Sequence, residues 1–135
     1  MVLIGNTFGL RMGIFGHFET FLHCKFPKHK LVGRNLGWPA DEITRSRGGV
    51  LMPRPTGFGN LHEQLASQKA DLIFACFGLN ESFAGDAGLG KFERDLTAFL
   101  TELQAKKHTG KTLPRIVFVS PIATEHGHDY RNTDP

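Results

Sequence analysis

Asp71-Leu72-Ile73-Phe74-Ala75-Cys76-Phe77-Gly78-Leu79-Asn80-Glu81 is the stretch that decides the fold. From Leu72 to Phe77 every residue is apolar, so a strand here has no face to turn to water and must be covered on both sides. Gly78 then stops the run, and Asn80 and Glu81 follow at once as polar residues at its carboxyl end. Ile116-Val117-Phe118-Val119 repeats the pattern before Ser120-Pro121, and Val2-Leu3-Ile4 repeats it before Gly5-Asn6-Thr7. A fourth strand is expected within Lys30 to Leu36, ending at Gly37, on a weaker pattern.

Helical spacing separates these runs. Leu10, Ile14, Phe15, Phe18, Phe21 and Leu22 recur at steps of three and four and predict one helix face, closed by Pro27. Asn60 with Glu63 three residues on predicts a capping box opening a short helix through Gln68. Phe92, Leu96, Phe99, Leu100 and Leu103 predict another helix, with Lys106 and Lys107 at its C-terminal end and Gly110 and Pro114 beyond it. Between Arg45 and Gly59 the chain is rich in Gly, Pro and Arg and is expected to form a long surface loop. Strands alternating with helices, and too apolar to face water, imply a parallel sheet between two helix layers. The expected fold is therefore α/β: a three-layer α/β/α sandwich, flavodoxin-like, with spatial strand order 2-1-3-4 and right-handed crossovers.

With 135 residues the chain is sized for one domain. No apolar run approaches the length of a membrane span, and the N-terminus lacks the order of a signal peptide, so the sequence reads as soluble. Sixteen Lys and Arg against thirteen Asp and Glu leave +3, too mild an excess to indicate a nucleic-acid partner. Cys24 and Cys76 sit in apolar surroundings without Cys-x-x-Cys spacing and are read as buried thiols. Twelve Phe are assigned to core packing. His126-Gly127-His128-Asp129 is the tightest histidine cluster, but no further ligand stands at a metal-binding spacing, so no metal and no cofactor are expected. Arg45, Arg47 and Arg54 are read as a solvated loop rather than an anion site.

In an open parallel sheet, ligands bind outside the carboxyl ends of the strands. Gly5-Asn6-Thr7, Asn35 to Asp41, Gly78-Leu79-Asn80-Glu81 and Ser120 are all placed there by this reading. Thr7 has two candidate roles, a cap on the first helix or a reactive hydroxyl at its start. Asn80 is either a turn residue or a donor to a bound ligand. Asn35 is either a strand-end turn or a hydrogen bond supporting the site.

The same segments resemble the SGNH, or GDSL-type, esterases and acyl hydrolases. Gly5-Asn6-Thr7 is similar to that family's Gly-Asp-Ser block, with Thr7 at the nucleophile position. Asn35-Leu36-Gly37-Trp38-Pro39-Ala40-Asp41 is similar to its second block, with Ala40 where a glycine N–H helps bind the oxyanion. Gly78-Leu79-Asn80-Glu81 is similar to Gly-x-Asn-Asp, which puts the oxyanion-binding side chain at Asn80. The run Gly78 to Phe83 also resembles a subset that reads Gly-Asn-Thr and Gly-x-Asn-Glu-Ser-Phe, whose domains occur within larger bacterial proteins. What the resemblance implies is acyl transfer on an ester, with Thr7, Ala40 and Asn80 as the catalytic set and Asn6, Asn35, Gly78 and Glu81 around the substrate. The substrate would be a small-molecule, carbohydrate or lipid ester, and the family's relatives are often secreted or periplasmic.

Three departures from the pattern carry physical weight. Thr7 adds a methyl that restricts the rotamer of the attacking hydroxyl. Ala40 keeps its N–H available if its φ is negative. The family's Asp-x-x-His block is absent: Asp129 is followed by Tyr130, Arg131 and Asn132, and the fifth strand and last helix would lie beyond Pro135. A domain cut short, with its base histidine missing, is the expectation, and a binding module on the same fold is the alternative.

Overall fold

A computed structural model describes residues 1–46 and 60–123. Four parallel strands, β1 (Val2–Gly5), β2 (Arg34–Asn35), β3 (Leu72–Cys76) and β4 (Arg115–Val119), form one sheet in the order β2-β1-β3-β4. The register runs Val2 to Ile73 and Gly5 to Cys76 across the central pair, then Leu72 to Arg115 and Cys76 to Val119. This is the expected flavodoxin-like α/β arrangement, with β1 buried throughout and β3 buried from Ile73 onward.

Side-chain alternation divides the core into two layers. Ile73, Ala75 and Phe77 pack with Leu61 and Leu65 of α4 (Leu61–Ser67) and with Phe99 and Leu103 of α6 (Gly85–Ala105). Phe77 and Phe99 meet edge to face with ring centroids 5.3 Å apart. Burying each such side chain is worth about 1.5 to 3 kcal/mol, so this layer dominates the stability of the sheet. On the other face, Phe74 meets Phe18 of α2 (His17–Lys25) with ring centroids 5.0 Å apart, while Gly9 of α1 (Thr7–Phe15) lies against Cys76. The capping box at Asn60 and Glu63 forms as its spacing predicts.

Several expectations are corrected. The periodicity from Leu10 to Leu22 predicts one helix, but Gly16 at φ +67 ends α1 and starts α2. A left-handed residue interrupts the 3.6-residue phase, and glycine adopts that conformation without penalty. Ile14, Phe15 and Phe21 consequently face outward, at 68%, 65% and 62% exposure, instead of joining Phe18 against the sheet. Phe83 is exposed too, so core packing does not account for all the phenylalanines. The second strand shrinks to Arg34–Asn35, the two residues of Lys30 to Leu36 that have register partners on β1, Val2 and Leu3. Cys24, on the outer side of α2, is exposed and only Cys76 is buried. In β4, Ile116 and Phe118 pack on the α6 core whereas Val117 is 43% exposed, so this strand is covered on one face among the described residues. Arg45 falls in a short helix, α3 (Ile43–Ser46). The remainder of the expected loop, with Arg47 and Arg54, and the cluster His126, His128 and Asp129 lie outside the described residues.

Candidate active site

The carboxyl ends of β1 and β3 lie side by side, since Gly5 pairs with Cys76 and the Asn6 N–H donates to the Cys76 carbonyl at 3.0 Å. A Cβ on Gly5, at φ +123, would strike that same carbonyl oxygen, so the close approach at the turn requires glycine. Asn6, only 2% exposed, caps α1: its side-chain oxygen accepts from the Phe8 N–H at 3.0 Å. The capping role weighed for Thr7 is therefore filled by Asn6, and Asn6 serves the helix from a buried position. Thr7, as first residue of α1, keeps its hydroxyl for other partners.

Beyond β2 the chain continues along β1. Leu36 N–H donates to Leu3 at 2.8 Å and Trp38 N–H to Gly5 at 2.7 Å. These bonds carry Pro39 and Ala40 to the top of β1, where the Ala40 N–H donates to the Thr7 hydroxyl at 3.2 Å. Ala40 has φ +56, in the left-handed region. The N–H therefore reaches the Thr7 hydroxyl at a positive φ, not at the negative φ expected of it. Glycine is the residue that takes this conformation most readily, in keeping with the glycine of the block that this segment resembles.

Asn35 holds the segment against α1. Its amide nitrogen donates to the carbonyls of Gly9 and Leu10, at 2.8 and 3.2 Å, and its oxygen accepts from Gly37 N–H at 2.8 Å. One side chain thus closes the strand-end turn at Gly37 and ties that turn to α1. A Cβ on Gly13 would run into the Asn35 amide, which is why the helix can come so close.

At β3, Gly78 (φ +110) caps α5 (Leu79–Ser82), which carries Asn80 and Glu81. The Asn80 side chain is half-buried and makes no hydrogen bond to a described residue. Glu81 is committed elsewhere: one carboxylate oxygen accepts from Ile43 N–H at 2.9 Å and the other from Gly78 N–H at 3.0 Å. Behind the rim, burial pushes the Cys76 thiol up to about 11, leaving it an inert packing group at neutral pH.

Sequence reading missed a cluster away from the rim. His62 of α4 bonds Glu102 of α6 at 2.6 Å and stacks on buried His108 with ring centroids 5.6 Å apart. Nothing in the spacing of His62 and His108 signals a meeting that depends on how α4 packs against the end of α6. Among the described residues no group of three or more His, Cys, Asp or Glu is arranged to hold a metal, and no helix is long and apolar enough to cross a membrane.

No family model, curated protein or solved structure matches the chain.

Proposed function

We propose that the chain is an SGNH-type hydrolase domain acting on acyl or acetyl esters. The observation that carries this reading is the Ala40 N–H directed at the Thr7 hydroxyl, 3.2 Å away, at the carboxyl end of the central strand. A donor fixed beside a hydroxyl is the arrangement that acyl transfer needs, because the carbonyl oxygen of a bound ester becomes an oxyanion as the hydroxyl attacks. Asn80, whose side chain makes no hydrogen bond to a described residue, is the second donor in this account. The Thr7 oxygen would bond to the carbonyl carbon, the ester C–O bond would break, and the hydroxyl proton would pass through a base to the leaving alkoxide. Water would then release the acid from Thr7.

A binding module on the same fold is the second reading. What favours it is that, among the described residues, no histidine hydrogen-bonds to the Thr7 hydroxyl. General base catalysis contributes about 10²- to 10⁴-fold, so turnover by these residues alone is expected to be slow. His126 and His128 are the first histidines of this chain to test as the base.

The two readings separate in an assay of p-nitrophenyl acetate hydrolysis by the wild-type chain, Thr7→Ala and Asn80→Ala. The hydrolase reading expects a slow rate above buffer that falls about tenfold or more in each variant. A rate indifferent to both changes removes it.

A further inference from the structure

We infer that Glu81 is a positioning residue: its carboxylate straps the segment that carries Ala40 to the start of α5, which carries Asn80, and so sets the separation of the two carbonyl-binding donors. The inference rests on the reading of Ala40 and Asn80 as those donors and changes the role of Glu81 from substrate contact to internal brace.

The geometry behind it involves two segments far apart in sequence. Ile43 and Glu81 are 38 positions apart, and their bond crosses from the segment after β2 to the segment after β3. The Gly78 N–H occupies the other oxygen of the same carboxylate, so one rigid group anchors both segments. An ionised acceptor makes each bond about twice as strong as a neutral one would be. With both oxygens holding backbone N–H groups, the carboxylate is poorly placed to take a ligand as well.

The strap also acts at the right distance. Ala40 lies three residues before Ile43 and Asn80 one residue before Glu81, so each donor sits near an anchored point, while the Ala40 N–H itself bonds Thr7 and not the carboxylate. Between Ala40 and Ile43 the chain is held further by the Asp41 N–H on the Trp38 carbonyl and the Glu42 N–H on the Asp41 side chain. Ala40 itself stands at φ +56, a conformation a non-glycine residue leaves readily unless its surroundings hold it. Losing the Glu81 bond at Ile43 therefore loosens the Ala40 turn without removing its other contacts, whereas a carboxylate serving only as the cap of α5 would leave that turn as it was.

The test is amide hydrogen exchange, followed by NMR on the full chain without ligand, for wild type, Glu81→Gln, Glu81→Ala and the control Asn60→Ala, which removes a cap at α4. In Glu81→Ala the Ile43 and Gly78 amides should exchange at least about tenfold faster, and the Ala40 amide, which Glu81 does not touch, should accelerate with them. Glu81→Gln keeps the volume and one acceptor oxygen, so it should restore part of the protection at Ala40 and decides the matter if the alanine variant does not fold. Asn60→Ala should leave Ala40 unchanged relative to the rest of the sheet. Acceleration confined to Ile43 and Gly78, or no acceleration at any of the three, would overturn the inference. Because exchange is read without substrate, the brace and the hydrolase reading fail separately: the latter falls if ester turnover survives Thr7→Ala and Asn80→Ala.

Discussion

The backbone N–H of Ala40 donates to the hydroxyl of Thr7 at 3.2 Å, across 33 positions of sequence. Two features make the contact possible. Asn6 takes over the capping of α1, and the segment from Leu36 to Trp38 follows β1 bond by bond up to its carboxyl end. The Ala40 N–H is thus bonded within the chain, and on the reading proposed above an incoming ester carbonyl would displace the Thr7 hydroxyl from it.

The division of labour between Asn6 and Thr7 predicts opposite mutational profiles. Asn6→Ala removes a buried cap and should cost about 1 kcal/mol of stability. Thr7→Val keeps the shape and loses only a hydroxyl whose partner, Ala40, is exposed to solvent, so it should cost clearly less. Urea denaturation of the two variants checks this, and a larger loss in Thr7→Val would mean that the hydroxyl has the structural role.

Ala40→Gly is expected to stabilise the chain. A left-handed non-glycine residue costs roughly 1 to 2 kcal/mol, and the extra freedom that glycine gives the unfolded chain returns about 0.4 to 1 of it. The net gain, about 0.5 to 1 kcal/mol, should appear as a higher urea midpoint with an unchanged slope. A loss of stability would show that φ +56 is not held in solution.

Much of this architecture is legible in the residues because apolar runs and capping patterns are local. Leu72 to Phe77 needs no tertiary information to be read as a strand covered on both faces, and Asn60 with Glu63 announces its own helix start. The Leu10 to Leu22 helix is misread for the opposite reason: the left-handed turn at Gly16 changes the phase without changing the spacing of apolar letters. At the rim, strand ends alone mark Thr7 and Asn80 as polar residues at a ligand-binding edge, while Ala40 is nominated only through the resemblance of Asn35 to Asp41 to a family block. That Glu81 turns to Ile43 instead of to a ligand depends on how two loops meet, which no local pattern encodes.

His108 makes stability depend on pH. It is 5% exposed, and its pKa is lowered from the ordinary 6.5, first by burial, then by the charges of His62 and Lys106, against a smaller opposing bond to the Leu103 backbone. Glu102 faces the same cluster through His62 at 2.6 Å and Lys106 at 3.6 Å. The folded chain therefore binds a proton at His108 less readily than the unfolded chain does. This contribution is present above about pH 6.5, where both states are neutral, and is lost as pH falls below it. His108→Phe keeps a ring against His62 and should lose less stability than wild type between pH 7 and pH 5, a window above most carboxylate titrations. Parallel pH profiles would contradict the assignment.

The most direct measurement is a titration of the ¹⁵N-labelled chain with methylboronic acid, which adds to a hydroxyl to give a tetrahedral anion like that formed in acyl transfer. If Thr7, Ala40 and Asn80 form one carbonyl-binding point, the Ala40 backbone amide and the Asn80 side-chain amide should shift together with one saturating affinity, and neither should shift in Thr7→Val. An Asn80 amide that stays in place while Ala40 moves, or shifts that persist in Thr7→Val, would contradict the account.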